Sequence, residues 1–195
     1  MLVPIGKLID SPILSLQTGA ELARTQDVII DPRRLNIIAL RVSGSRLDNK
    51  DSVLHPEDIR EISDIGMIID DSDKLMSTEG LVRLQEVIDF GFVLPGITVI
   101  DNQGNKIGTV KDYSVDPESF IIQQLYIKPP FMKSISVSTL TVHRSQILSV
   151  DNRKIVVKSP TIKEESKQTL QQPAQPQASF VNPFRNPTPT RQEIK

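Results

Sequence analysis

One phrase occurs twice in this chain, and that repeat limits the folds open to it. GAELARTQDVIIDPRRLNIIALRV (19–42) aligns without a gap on GNKIGTVKDYSVDPESFIIQQLYI (104–127), at a constant offset of 85. Six of the 24 positions are identical: Gly19/Gly104, Asp27/Asp112, Asp31/Asp116, Pro32/Pro117, Ile37/Ile122 and Leu40/Leu125. After a variable loop the likeness resumes at offset 88, where HPEDIREISDIGMII (55–69) faces HRSQILSVDNRKIVV (143–157). There Ile59 pairs with Ile147 and Ile62 with Val150. A duplicated module of roughly 75–80 residues accounts for both matches better than one large domain.

Each copy reads as β structure. Its apolar runs are rich in Ile and Val, whose branched side chains suit a pleated surface. In the second copy strands are expected at Ile97–Ile100, Lys106–Ser114, Phe120–Ile127, Leu140–Val142 and Lys154–Val157. DNQGN (101–105) and SVDPES (114–119) are turns, and the first copy matches them with QTGAE (17–21) and DPRR (31–34). Gly19 and Gly104 serve turns that need a positive φ, while Asp31-Pro32 and Asp116-Pro117 redirect the chain outside a central ladder. Gly108 lets neighbouring backbone come close. The segment STEGLVRLQEVIDFG (77–91) fits two readings: Leu81, Leu84, Val87 and Ile88 would line a helix, and Val82, Leu84 and Ile88 would suit a strand.

A small sheet with one apolar face has to hide it, and curling into a barrel does so. The expected fold is therefore all-β: a small β-barrel over 1–78, a second over 79–159, and a Pro/Gln-rich tail over 160–195. The tail holds six prolines and few large apolar groups, a composition that favours disorder. Within it, Phe180, Val181 and Phe184 form an apolar island, either a docking motif or a sticky stretch. Phe131 and Met132, in KPPFMKSISVS (128–138), offer a partner contact, a core role or an inter-barrel role.

Chemistry is sparse. With no Cys there are neither disulfides nor thiolate ligands. Read as a calcium loop from Asp101, the strip 101–112 has Lys106 where glycine is required. GNKIG (104–108) is not a phosphate loop, and no GxSxG is present. His55 and His143 occupy equivalent repeat positions, and two histidines are too few for a typical zinc centre. Glu57, Asp58, Glu61, Asp64, Asp70, Asp71 and Asp73 read mainly as a solvated face. No catalytic, cofactor-binding or metal site is expected.

The net charge of −1 argues against a general nucleic-acid binder. Residues 1–78 carry 9 Lys/Arg against 13 Asp/Glu, residues 79–159 carry 9 against 8, and residues 160–195 carry 5 against 3. No uninterrupted run of 18 apolar residues exists to form a membrane helix. MLVPIGKLIDSP meets Pro4, Lys7 and Asp10 too early for a secretory signal. A cytoplasmic location fits.

The repeated phrases resemble the PRC-barrel family, the small β-barrel of the photosynthetic reaction-centre H subunit and of the ribosome maturation factor RimM. The likeness rests on Gly104, Ile107, Gly108, Val110 and Asp112, then Asp116, Ile122, Ile147, Val150 and Ile155–Val157. The first copy departs at Ala23, where the family pattern has Gly, and at Thr25, where it is apolar. Tandem copies with a Pro-rich tail resemble cyanobacterial proteins. The resemblance implies a non-enzymatic scaffold or assembly factor that binds protein partners, such as subunits of a photosynthetic complex peripheral to the thylakoid membrane. The alternative it implies is a ribosome maturation or RNA-processing factor acting through a ribosomal protein.

Overall fold

A computed structural model describes residues 1–45, 47, 52–130 and 139–158. In chain order the first strands are β1 (Val3–Pro4), β2 (Pro12–Ser15), β3 (Glu21–Asp31), β4 (Asn36–Ser43), β5 (Ser52–Leu54), β6 (Ile59–Ser63), β7 (Gly66–Ile69) and β8 (Leu75–Ser77). Helix α1 (Val82–Phe90) follows, and then β9 (Thr98–Asp101), β10 (Lys106–Val115), β11 (Ile122–Lys128), β12 (Leu140–His143), β13 (Ile147–Val150) and β14 (Lys154–Val157).

The strands form two mixed sheets. One runs β6-β7-β2-β3-β4-β5-β8 and the other β12-β11-β10-β9-β14-β13, with β1 pairing on β10. The duplication extends to fine detail. β2 lies parallel to β7 as β9 lies parallel to β14, with Ile13 opposite Met67 and Val99 opposite Ile155. The long hairpins slip register between Thr25 and Asp27 in one copy and between Val110 and Asp112 in the other. Both bulges explain an identical residue. The Asp27 carboxylate accepts from the Val28 N–H at 2.8 Å, and Asp112 accepts from the Tyr113 N–H at 2.8 Å. Each aspartate thus satisfies a donor beside its bulge.

Neither sheet closes into a barrel, which corrects the expected fold. β6 and β8 end the first sheet and β12 and β13 the second, and neither pair is hydrogen-bonded. Closure is unnecessary because buried residues of both copies share one apolar cluster. It includes Ile13, Leu40 and Ile69 from the first copy, and Val99, Leu125 and Ile155 from the second. Each such side chain contributes about 1.5–3 kcal/mol when fully withdrawn from water. The apolar face that a lone sheet would curl around is hidden by its sister.

The copies meet about a pseudo-twofold. The Ile37 N–H donates to the Phe120 carbonyl at 3.0 Å, and the Ile122 N–H donates to the Leu35 carbonyl at 2.9 Å. Leu35 and Phe120 are equivalent at offset 85, as are Ile37 and Ile122, so the two bonds are one bond repeated. Between them Asn36 bridges Ile121, its own equivalent. Leu35 (φ 48°) and Phe120 (φ 53°) hold left-handed backbone, unusual for such bulky residues. Their burial, at 4% and 3% exposure, and these reciprocal bonds keep them there.

The chain also crosses between the halves. β1, at the start, joins the second sheet on β10. The ambiguous linker is a helix, and Leu84 is buried with Ile29, Ala39 and Val53 of the first sheet, with Leu81, Val87 and Ile88 packed beside them. Gly91, at φ 63°, ends that helix.

Candidate functional site

The turn residues come first, because the strip at 101–105 carries the most polar groups. Asp101 Oδ1 accepts from the N–H groups of Gln103 and Asn105, each at 2.8 Å, and its Oδ2 accepts from Asn105 Nδ2 at 3.0 Å. The Asn105 side-chain bond, joined by these backbone N–H groups, holds the Asp101 carboxyl below its ordinary value. Those lone pairs close a hairpin, with Gly104 at φ 88° and, in the first copy, Gly19 at φ 69°. Asp31 accepts from the Arg33 N–H at 2.9 Å, and Asp116 from the Ser119 N–H at 3.1 Å and hydroxyl at 2.6 Å, each carboxylate bridging the Pro32 or Pro117 turn. The Ser119 bonds hold the Asp116 carboxyl low as well. At Gly108 a Cβ would run into the Lys128 carbonyl oxygen, and would lie 2.7 Å from Ile127 Cγ2.

His143 caps a short 3-10 turn. Its Nδ1 accepts from the Ser145 N–H at 3.3 Å, while Gln146 Oε1 accepts from the His143 N–H at 2.8 Å. His55 begins the matching turn without a side-chain cap. Three acids of the stretch form ion pairs: Asp58 with Lys74 at 3.3 Å, Asp64 with Lys7 at 3.1 Å, and Asp70 with Arg60 at 2.7 Å. Among the described residues no group of three or more His, Asp or Glu is placed to hold a metal ion, and no helix is long and apolar enough to cross a membrane. Phe131, Met132, Phe180, Val181 and Phe184 lie outside the described residues.

The feature that stands out is a groove that the sequence reading did not single out. A cavity of about 440 Å³ is walled by α1, by the β3–β4 turn and by the β13–β14 hairpin, with Val87, Phe90 and Val150 as apolar lining. A second, of about 270 Å³, continues it along the whole of β13 toward Leu35 and Arg144. The two share Pro32, Arg33, Ser149 and Val150. Phe90 is 50% exposed and Leu148 51% exposed, so large apolar groups face water at both ends.

Charge differs along the groove. Among the described residues the Leu148 end presents Arg33, Arg34 and Arg144 and no acid. Arg144 is spent on structure: its guanidinium donates to the carbonyls of Arg34 at 2.6 Å, Leu35 at 3.3 Å and Ile122 at 3.4 Å. Arg33 and Arg34 are exposed, and among the described residues no carboxylate pairs with their side chains. The Phe90 end is mixed, with Asp31, Glu86 and Asp151 beside Lys154.

No family model matches the chain, and no curated protein matches it either. The PRC-barrel resemblance is corrected accordingly, and the photosynthetic, thylakoid and cyanobacterial setting drawn from it goes with it. The physical reason lies in the residues that suggested it. Gly104, Asp112, Asp116 and Pro117 serve a turn, a bulge and a chain reversal, and Gly108 a close strand approach. A turn, a bulge and a close strand approach are local needs, so the pattern by itself does not identify a family.

Proposed function

We propose that this chain is a non-enzymatic protein-binding module, a scaffold or assembly factor, and that the groove between α1 and β13 is its contact surface. The observation that carries this reading is the half-exposed Phe90 beside Val87 and Val150 in a concave site of about 440 Å³. Aromatic anchors in such pockets supply most of the affinity at protein interfaces. The polar groups in the turns are occupied in holding those turns, which leaves them unsuited to acid–base work.

A peptide library displayed on phage, selected against the whole chain and against Phe90→Glu, tests the reading. Convergent sequences enriched on the native chain and absent from the variant are expected. No convergence on either protein would defeat it. Uridine-rich RNA titrated against the native chain is the second arm. Tight, salt-sensitive binding lost in Arg33→Glu would favour the RNA-processing alternative instead.

A further inference from the structure

The two copies end their sheets differently, and the difference points to a ligand. β6 and β13 are equivalent edge strands, each paired on one side only among the described residues. Both skip a residue in register, at Arg60 and at Leu148, so the bulge does not separate them. Charge does. β6 reads IREIS, with Arg60 gripping both Asp70 oxygens at 2.9 and 2.7 Å and Glu61 beside it. β13 reads ILSV, with exposed Leu148 and Ser149 where the first copy has Arg60 and Glu61. Charged side chains on an edge are a standard guard against pairing with another chain. The first copy keeps that guard and the second lacks it, on the strand that borders the groove.

We propose that the free edge of β13 accepts an extended peptide by strand addition. The peptide places a carboxylate over Arg33 and Arg34 and an apolar side chain against Val87, Phe90 and Val150. The proposal rests on the protein-binding reading and names the partner's chemistry. Main-chain bonds to β13 supply affinity, and the two ends of the groove supply selectivity. Among the described residues the basic end has two exposed guanidiniums and no acid, so it selects an anionic side chain, and a carboxylate suits a guanidinium fork. At about 3.3 Å per residue β13 spans roughly 10 Å, which sets carboxylate and apolar anchor two to four residues apart on the peptide.

The probe is a synthetic fluorescein-labelled peptide that alternates Val and Thr, with Phe toward one end and two Asp toward the other. It is made in both orders and titrated against the full chain by fluorescence anisotropy. Saturable binding is expected for one order. Methylating alternate backbone nitrogens on the pairing side should abolish it, because side chains are kept and main-chain donors removed. Replacing Asp by Lys in the peptide should weaken binding by about tenfold or more, as for a lost charge-assisted hydrogen bond. Arg33→Glu with Arg34→Glu should recover the Lys version. The double variant Leu148→Arg, Ser149→Glu gives β13 the residues of β6 and should lose the peptide while melting like the native chain, since both positions are exposed.

Equal binding of the N-methylated peptide would overturn strand addition and leave the groove reading intact. Convergent library peptides that depend on Phe90, with no binding of the probe in either order, would likewise overturn the proposed chemistry alone. Failure of both experiments removes both.

Discussion

The two copies share their bulges, turns and parallel strand pairs and part company at a few places. Where they agree, the shared residue answers a demand of the backbone or the core: Asp27 and Asp112 cap bulges, Asp31 and Asp116 bridge turns, and Ile37, Ile122, Leu40 and Leu125 are buried. Where they differ, one copy has either met the same demand in another way or been released from it. Agreement within a repeat therefore marks geometry, and disagreement marks the places open to function. The edge strands are one such place. Three further pairs and one turn allow the comparison to be broken on purpose.

The largest effect is expected at Gly108. Its equivalent is Ala23, yet a Cβ on Gly108 would collide with the Lys128 carbonyl. The first copy keeps its own glycine just past the end of the facing strand, at Gly44, where a Cβ would lie 2.5 Å from the Leu22 carbonyl oxygen and 3.3 Å from the Ala23 Cβ. Gly108→Val should destabilise by about 3 kcal/mol, a forced backbone shift in a packed sheet. Ala23→Gly should cost only about 1 kcal/mol through chain entropy. Urea unfolding of both variants checks the contrast, and equal losses would show that the strands are no closer in the second copy.

Next is Arg144, which reaches across the pseudo-twofold to carbonyls of the other copy, whereas its equivalent Pro56 has no side-chain donor. Arg144→Ala should cost about 1.5–3 kcal/mol, since hydrogen bonds to a charged group are the stronger kind. Arg144→Lys should recover little, because an ammonium cannot spread over three separated carbonyls as a fork does. Full recovery in Lys would reduce the role of Arg144 to charge.

A smaller change of opposite sign is expected at Thr25, which stands where the second copy has Val110. Thr25 is 1% exposed and its hydroxyl has no hydrogen-bond partner among the described residues. Thr25→Val should stabilise by about 1 kcal/mol, and Val110→Thr should destabilise by a similar amount, by leaving a hydroxyl dry. A neutral Thr25→Val would mean that water already reaches the site.

These asymmetries also show what could be read from the sequence. The offset of 85 located the hairpin strands, and Lys154–Val157 is a strand with the limits expected of it. The bulges at Asp27 and Asp112 were hidden, because a bulge keeps composition while shifting register. The barrel expectation failed because a single apolar face does not reveal whether it closes on itself or on a sister sheet. The open sheet ends, the shared cluster and the pairing of Leu35 with Ile122 and of Phe120 with Ile37 decide that. Helix α1 was ambiguous for a local reason: Leu81 at its start provides no side-chain cap, and only Gly91 marks its end. The groove depends on that helix, on the β3–β4 turn and on β13, elements far apart in the chain. The one legible hint was Leu148 and Ser149 standing opposite Arg60 and Glu61 at offset 88.

The smallest effect separates the two β-turns that close the copies. Ser15 and Asp101 are equivalent. The Ser15 hydroxyl accepts from the Thr18 N–H at 3.2 Å, while Asp101 spreads its charge over Gln103 and Asn105. Of these two side chains only Asp101 carries a charge that acid can remove. The folded Asp101 carboxyl lies below the ordinary aspartate value of 3.8, held there first by the Asn105 side chain and then by backbone N–H groups. Between the folded and unfolded values the unfolded chain binds more protons, so stability rises with pH across that interval. The contribution is complete above the unfolded value and is lost as pH falls through the folded one. Asp101→Ser, which gives the second copy the residue of the first, should lower the urea midpoint slightly at pH 6 and not at all at the acid end. Asp70 and Asp116 shift in the same direction, so both proteins keep an acid limb, and the informative quantity is the gap between their curves. A gap that stayed constant from pH 6 down to pH 2 would mean that Asp101 holds its turn by shape rather than by charge.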